Sequence, residues 1–165
     1  VLKHLKYKQT SIQTPLTKTK GKELSNSIVI VPILRAGLGL VEGFVKFLPK
    51  AEKGHIGLYR DEQTYRPVEY LFKIPSVKNK IFIVLDPMLA TGNSSIEAIN
   101  LIKSSGVKIS NIKFVSLLAS PEGIKNFKKN HDKLHLFTCS VDKRLNKNRF
   151  IVPGLGDAGD RYMGT

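Results

Sequence analysis

The chain of 165 residues has one cysteine, no tryptophan, two methionines and no long apolar run. The single cysteine, Cys139, rules out an intramolecular disulfide framework, and the apolar pattern around it predicts a buried and inert thiol. Every apolar run is far shorter than the roughly 20 residues of a membrane span, so no transmembrane helix is expected. Residues 1–8 contain neither a continuous apolar segment nor a small-residue cleavage site, so no signal peptide is expected. These features predict a cytoplasmic protein.

Acidic residues are also scarce, because 13 Asp and Glu stand against 27 Lys and Arg, a net charge of +14. Such an excess would suit a nucleic-acid partner. The chain, however, has no arginine cluster, aromatic RNA-binding signature or zinc-ligand spacing, and its lysines are scattered singly over positions expected to face solvent, including Lys103, Lys108, Lys113, Lys125 and Lys133. We therefore expect no nucleic-acid partner, but a solvated basic surface whose field attracts an anionic substrate.

The remaining composition, 41% hydrophobic and 24% charged, is typical of a globular protein, and the length predicts a single domain over residues 1–165. Apolar runs alternate with helix-like segments, which predicts an α/β fold with a mostly parallel sheet flanked by helices. The runs are Ile28–Leu34, Ile81–Leu85, Ile112–Leu118 and Leu134–Val141, and the helical segments lie at about Leu38–Leu48, Ser94–Ser104 and Glu122–Lys129.

Several residues predict local features of these elements. Ser120, followed by Pro121, is expected to cap a helix, and Gly106 stands where a helix C-cap belongs. Pro32 lies inside the first apolar run. Because proline has no backbone N–H to donate to a neighbouring strand, we expect a bulge or an edge position there.

A hairpin is predicted between the first two runs. Val68–Ile74 alternates between apolar and polar residues, as an antiparallel strand paired back onto His55–Tyr59 would. The tip, Asp61–Pro67, is polar. Taken alone, this pattern favours an ordinary exposed hairpin.

The stretch from Ile81 to Ser95 carries the clearest chemical signal. An apolar run ends in Asp86, at the end of a parallel strand, where ligands bind in open α/β sheets. Thr91 to Ser95 then offer successive amides and hydroxyls at the start of a helix, which suits a phosphate. Ser94 and Glu97 also fit a capping box of an ordinary helix start, so the spacing alone leaves both interpretations open.

Four segments together resemble one family: VPILRAGLG (31–39), GLYRDE (57–62), DPMLATG (86–92) and FIVPGLGDAGD (150–160). In this order they resemble uracil phosphoribosyltransferase from about Ile12 to Thr165. Asp86 is followed by Pro87, where many members of the wider fold have a second acid, and this is the uracil-specific variant. The resemblance implies a type I, Rossmann-like phosphoribosyltransferase fold. It also implies a hairpin lid at about 55–75 and a base-recognition hood at about 142–165.

The resemblance further implies pyrimidine salvage, in which 5-phosphoribosyl 1-diphosphate (PRPP) and uracil give UMP and diphosphate. Mg²⁺ enters with PRPP rather than at a dedicated protein site, with Asp86 and Asp157 as the nearest candidates to contact it. The implied PRPP-binding residues are Arg35, Arg60, Asp86, Pro87, Met88, Leu89, Ala90, Thr91, Gly92, Asn93, Ser94 and Asp157. The implied uracil-binding residues are Ile151, Gly156, Asp157 and Ala158.

Catalysis is expected to be electrostatic, through Arg35, Asp86 and Asp157, with no covalent nucleophile. The histidines lie outside the four segments and are expected to be surface or strand residues: His4, His55, His131 and His135. The family also implies a homodimer or higher homo-oligomer and GTP binding, for which the sequence assigns no residue.

The sequence departs from the family pattern at several places. The family normally has a helical segment before the position of Val1, and Asn93 stands where a second glycine often follows. Residues 146–150 lack the acid and the glycine–tyrosine pair of the family, and Phe150 keeps the ring without the hydroxyl. Two other functions remain open: a phosphoribosyltransferase for another base, or a nucleotide-sensing or RNA-binding regulator on the same fold.

Overall fold

A computed structural model describes residues 1–61, 64 and 66–165, with Arg60 described by its backbone alone. The strands are β1 Tyr7–Gln13, β2 Lys18–Leu24, β3 Ser27–Leu34, β4 Glu52–Lys53, β5 His55–Arg60, β6 Pro67–Lys73, β7 Lys80–Leu85, β8 Met88–Leu89, β9 Ile112–Ala119, β10 His135–Val141, β11 Arg144–Leu145 and β12 Ile151–Val152. The α-helices are α1 Leu38–Phe47, α2 Asn93–Ser104, α3 Pro121–Asn130 and α4 Ala158–Met163; Leu2–His4 and Ile109–Asn111 form 3₁₀ turns.

The central sheet has the strand order β10-β9-β7-β3-β5-β6, with β4 paired to β3 and β8 paired to β9. All its pairs are parallel except β5–β6, which forms the predicted antiparallel hairpin. The predicted α/β fold with a mostly parallel sheet is confirmed, and each of the four apolar runs is a strand. A separate antiparallel ribbon, β1–β2, precedes the sheet and was not predicted.

Helices cover both faces of the sheet, which explains why β7 has no polar alternation. Phe82 and Val84 belong to the core cluster that α2 and α3 cover, whereas Ile83 and Leu85 belong to the cluster under α1. All four side chains are fully buried. Burial of each is worth about 1.5–3 kcal/mol relative to exposure, so β7 is a main source of stability. Its carboxyl end is therefore a rigid place from which to present a functional group.

Pro32 occupies neither a bulge nor an edge, which corrects the sequence expectation. It lies in an interior strand, paired in register with Leu85 of β7. On its other side β3 pairs with β4 at Val29 and Ile30 and with β5 at Ile33 and Leu34, so Pro32 falls between the two ladders. The missing N–H of proline thus interrupts neither of them.

Three further expectations from the sequence are wrong. Cys139 is exposed, not buried, because β10 is the last strand of the sheet and α1 lies over β3 and β7 instead. Lys113 is buried, because it lies on the interior strand β9, where its Nζ is 3.1 Å from Nδ1 of His135. Burial lowers the pKa of Lys113.

His131 is neither a surface nor a strand residue. It caps the C-terminus of α3 and is buried, with its ring edge-on to that of Phe127 at 5.8 Å between centroids. Burial lowers the pKa of His131. Within residues 1–61, 64 and 66–165, no helix is both long and apolar enough to cross a membrane.

Candidate active site

A cavity of about 560 Å³ lies at the carboxyl ends of β3, β5 and β7. The position is the one expected for ligands in an open α/β sheet. Nine predicted site residues line it: Arg35, Asp86, Met88, Ala90, Ser94, Ile151, Gly156, Asp157 and Ala158. Thr91, Gly92 and Asn93 line a smaller adjoining hollow of about 40 Å³, which shares Asp86, Met88, Ala90 and Ser94 with the first.

The turn after β7 is fastened to the neighbouring strand β9. The amide of Asp86 donates to the carbonyl of Val115 at 3.1 Å, and the carbonyl of Pro87 accepts from the amides of Leu117 and Leu118 at 3.0 Å each. The short strand β8 then pairs with the end of β9. Pro87 and Leu89, which were predicted to bind PRPP, are buried and line neither this cavity nor the adjoining hollow.

The Asp86 carboxyl is electrostatically perturbed. Burial is the main cause that raises the pKa of Asp86 from 3.8 to about 7; a bond from the Met88 amide at 3.3 Å opposes it, and the nearby carboxylate of Asp157 contributes to the increase. The residue is partly buried and lines the cavity. Two carboxyl groups close enough to interact attract a cation or hydroxyl donors, which would favour their ionised forms.

The loop from Ala90 to Ser95 leads directly into helix α2. The first intrahelical bond of α2 runs from the Ile96 amide to the Gly92 carbonyl at 2.8 Å, so the amides at the start of the helix precede any helical acceptor. Gly92 has φ +83°, a conformation that favours glycine. The capping box that Ser94 and Glu97 could have formed is absent, since α2 begins at Asn93 and its N-cap residue is Gly92; the Asn93 amide donates to Thr91 Oγ1 at 3.5 Å. This helix start therefore has the geometry of a phosphate cradle.

Helix α3 braces the same loop from outside the cavity. Ser120 Oγ donates to the Ala90 carbonyl at 2.6 Å and accepts from the Gly123 amide at 2.8 Å, so the predicted cap is confirmed. Asn126 Nδ2 donates to the Thr91 carbonyl at 2.8 Å and to Asn93 Oδ1 at 3.1 Å. A Cβ on Gly123 would collide with the Ala90 carbonyl oxygen, so the close approach of α3 requires glycine there.

Arg35 follows β3 after a cis peptide bond with Leu34 and begins the turn into α1. A Cβ on Gly37 would lie 2.6 Å from the Ile33 carbonyl oxygen, so this turn too requires glycine. The Arg35 guanidinium Nη2 lies 3.3 Å from Oδ1 of Asp160 in α4, 125 residues later in the chain. The sequence did not identify Asp160 as a site residue.

The opposite wall is a main-chain turn between β12 and α4. Its amide at Gly154 donates to Asp142 Oδ2 at 2.8 Å, and Gly156 has φ +78°. Asp157 caps α4, with Oδ1 accepting from the Asp160 amide at 2.9 Å. Ile151 is buried beneath this turn. Ile151, Gly156 and Ala158 all line the cavity.

The model of the uracil phosphoribosyltransferase family matches residues 1–165, the whole chain. The chain belongs to this family. It is 52% identical over 167 residues to uracil phosphoribosyltransferase from Streptococcus salivarius, covering 100% of this chain and 79% of the relative. A similar protein from Clostridioides difficile, also described as uracil phosphoribosyltransferase, is 49% identical over the same length.

Two solved structures have a similar fold. The AQ2163 protein from Aquifex aeolicus superposes with a TM-score of 0.90 at 37% identity, covering 97% of this chain and 76% of that chain. A purine phosphoribosyltransferase from Pyrococcus horikoshii superposes with a TM-score of 0.57 at 19% identity, over 70% of this chain and 71% of that one, which shows the fold alone.

For this uracil phosphoribosyltransferase family member, the structure also identifies cavity residues that the sequence missed. Besides Asp160 they include Ala36, Leu58, Tyr59, Tyr70, Asn148, Arg149, Phe150 and Gly159. The pairing of β5 with β6 shifts between Gly57 and Leu58, so Tyr70 is the extra residue of a bulge. A Cβ on Gly57 would lie 2.5 Å from the Tyr70 ring. Period-two alternation could not reveal this, because the bulge breaks the alternation.

Several predicted features are not located by the structure. The side chain of Arg60, and Glu62, Gln63 and Tyr65 at the hairpin tip, lie outside the described residues. The histidines His4, His55, His131 and His135 do not line the cavity. Over the described parts of the chain, no three His, Cys, Asp or Glu side chains cluster as a metal site would require.

Proposed function

We propose that this chain transfers the phosphoribosyl group of PRPP to uracil, giving UMP and diphosphate. The proposal is carried by one observation: a single cavity brings together the carboxyl of Asp86, the start of helix α2 at Ser94, the guanidinium of Arg35 and a main-chain turn. Each of these groups suits one part of the two substrates. The 52% identity to a protein described as uracil phosphoribosyltransferase supports the same assignment.

The sugar phosphate fits the side of the cavity at β7 and α2. The 5-phosphate would bind the amides and hydroxyls of residues 91–94, aided by the positive end of the α2 dipole. The carboxylate of Asp86 would accept from the ribose hydroxyls. In the transition state the sugar carbon C1 becomes cationic, and an ionised Asp86 stabilises that charge.

The leaving diphosphate fits the turn that follows β3. Its negative charge grows as the C1–O bond breaks, so stabilisation requires cations rather than a nucleophile. Arg35 presents a planar guanidinium in this turn, and Arg60 ends the adjacent strand β5. The new bond forms between C1 and N1 of uracil as N1 loses its proton to solvent, and the electron pair of the broken C1–O bond leaves with diphosphate.

Magnesium is compatible with the residues present. Asp86 and Asp157 supply carboxylate oxygens that interact with each other across the cavity, and such hard oxygen ligands suit Mg²⁺. These two residues would hold the ion through water, while the substrate diphosphate supplies its other ligands. The bound ion would neutralise charge on the leaving group.

The surrounding segments would control access and assembly. We place the lid at about residues 55–75 and the hood at about 142–165 of one domain over residues 1–165. Lid closure would exclude water that could otherwise hydrolyse the activated sugar. A cytoplasmic location, a homodimer or higher homo-oligomer, and GTP binding complete the proposal by analogy with the family.

A direct assay tests the activity. The purified chain is incubated with Mg²⁺, PRPP and radiolabelled uracil, and UMP is separated and counted; parallel reactions contain hypoxanthine, guanine or orotate. We expect UMP from uracil and little product from the other bases. Product from a purine or from orotate instead of uracil would assign the chain to another base, and absence of any nucleotide product would favour a nucleotide-sensing regulator.

Gly156→Ala is expected to raise the KM for uracil by about tenfold, the effect of one lost backbone hydrogen bond in the site. The substitution causes no steric clash, because a Cβ on Gly156 would meet nothing within 4 Å. It strains the backbone instead, since alanine rarely adopts the φ of +78° found here. Steady-state kinetics with uracil varied at saturating PRPP measure the effect.

Gly106→Ala is the matched control for this change. Gly106 has φ +96°, its Cβ would also meet nothing within 4 Å, and it lies beyond α2, away from the cavity. Both variants should lose about 1–2 kcal/mol of stability, but only Gly156→Ala should affect uracil. An unchanged KM for uracil in Gly156→Ala would remove the turn from base recognition.

A further inference from the structure

The ion pair between Arg35 and Asp160 places a carboxylate next to Arg35, the residue that we propose binds diphosphate. Nη2 of Arg35 lies 3.3 Å from Oδ1 of Asp160, with 53% and 52% of the two side chains exposed. Both residues line the cavity. Both charged groups are accessible to solvent, so a dissolved anion can compete with the carboxylate for the guanidinium.

Asp160 is the fixed member of this pair. Its amide donates to Asp157 Oδ1 at 2.9 Å, and its carbonyl accepts from the amides of Gly164 and Thr165 at 2.8 and 3.1 Å. Its Oδ1 also accepts from Thr165 Oγ1 at 3.3 Å. The Arg35 guanidinium is the mobile member of the pair, because its side chain is long and 53% exposed.

We infer that Asp160 is a positioning residue that holds the Arg35 guanidinium in the empty cavity and competes with diphosphate for it. The inference rests on the proposed function, because it uses Arg35 as the cation of the leaving group. Diphosphate carries more charge than one carboxylate and displaces it when it binds. When diphosphate departs, Asp160 takes Arg35 back and so assists release.

The size of the effect follows from the exposure of the pair. Half-exposed ion pairs contribute little, and a competing contact of this kind should change the affinity for diphosphate by about two- to fivefold. The affinity for uracil, which is neutral and is assigned to backbone groups of the turn before α4, should not change, because a neutral side chain at position 160 keeps the backbone bond from its amide to Asp157. The separation of these two affinities distinguishes a competing charge from a general structural role.

Asp160→Asn tests the inference, since it removes the charge while keeping the backbone bonds and a side-chain acceptor for Thr165. We expect the Kd of Mg²⁺-diphosphate, measured by titration calorimetry on the full chain, to fall by about two- to fivefold. The KM for PRPP should fall similarly, with no change in the KM for uracil. Raising the salt concentration should reduce the difference.

Asp132→Asn is the matched control, because it makes the same change in net charge at an exposed residue outside the cavity. It should leave the Kd of diphosphate unchanged. In an Arg35→Ala background, Asp160→Asn should also have no effect, because its target is gone. If Asp160→Asn in that background, or Asp132→Asn alone, increased the affinity for diphosphate by the same factor, the inference would be overturned. The effect would then come from the net charge of the protein rather than from the contact with Arg35.

Unchanged or weaker diphosphate binding in folded Asp160→Asn would also overturn the inference. Circular dichroism establishes whether the variant is folded, and Asp160→Ser provides a second neutral side chain if it is not. Failure of the proposed function gives a different result: wild-type protein would then neither bind Mg²⁺-diphosphate nor form UMP. If the wild-type protein forms UMP but Asp160→Asn does not change the affinity for diphosphate, the proposed function stands and only this inference is wrong.

Discussion

Cytosine is expected to react with a kcat/KM about 10⁴–10⁵ lower than that of uracil, because a site with fixed polar groups leaves them unpaired when an analogue reverses its donors and acceptors. Uracil presents O4 as an acceptor and N3–H as a donor, and cytosine reverses both. Under the proposed function, the base would face main-chain groups at Ile151, Gly156 and Ala158, which line the cavity. A backbone amide cannot become an acceptor, whereas a hydroxyl or amide side chain could rotate to suit either base.

The turn that would read the base is also held in place. Asp142 accepts from the Gly154 amide at 2.8 Å, and Arg161 Nη1 donates to the Leu155 carbonyl at 3.0 Å. Competition between radiolabelled uracil and cytosine under identical PRPP concentrations measures the ratio of kcat/KM directly. Comparable values for the two bases would contradict backbone recognition.

Asp86→Asn is expected to lower kcat by about 10²–10³ while keeping the fold, because it removes a charge that acts in the transition state, as a lost oxyanion donor does. Asparagine keeps an oxygen that can accept from the Met88 amide, so the turn after β7 should not change. Single-turnover kinetics with saturating PRPP and uracil measure the loss. Wild-type kcat in this variant would refute the role of Asp86.

The same substitution is expected to stabilise the protein without ligand at pH 8. The pKa of Asp86 is about 7 in the folded chain, above its usual 3.8, so the folded state binds the proton more tightly than the unfolded state. The wild-type stability therefore falls as pH rises from about 4 to about 7 and stays low above that. At about 1.4 kcal/mol per pH unit, the difference between variant and wild type approaches at most roughly 4 kcal/mol at pH 8.

Urea unfolding at pH 5 and pH 8 measures this effect. The gain of Asp86→Asn over wild type should be larger at pH 8, where the buried carboxylate of the wild type is charged. Asp132→Asn, at an exposed position, should change stability by less than about 0.5 kcal/mol at both values. A gain that does not increase with pH would show that Asp86 is not destabilised by burial.

The sequence predicted the central sheet well where burial alone determines the strand. The residues of β7 are apolar without a break because helices cover both faces, and this pattern needs no knowledge of distant contacts. Exposed elements were less predictable. The strands β1 and β2 are mostly exposed and polar, so no apolar period marks them. Cys139 was predicted wrongly because an edge strand can be as apolar as an interior one.

The site was predictable where its residues are contiguous in the chain. Asp86 and the loop that follows it form one local segment, and the segment from Ile151 to Ala158 forms another. Asp160, Asn126 and Tyr70 were not predicted, because each acts through a contact that sequence separation conceals. Asp160 meets Arg35 across 125 residues, Asn126 meets Thr91 across 35, and Tyr70 depends on a shift in strand register.

The bonds from Ser120 and Asn126 to the phosphate loop have a consequence for when conformational entropy is lost. Because the Ala90 and Thr91 carbonyls already have partners, the loop is ordered when the chain folds, not when the ligand arrives. Fixing the backbone of one residue costs about 1–2 kcal/mol of conformational entropy. If this loop were disordered before phosphate bound, the cost of ordering its residues would weaken the affinity for phosphate. In this chain the bonds from α3 order the loop during folding, so a phosphate bound there as proposed would meet a preorganised site.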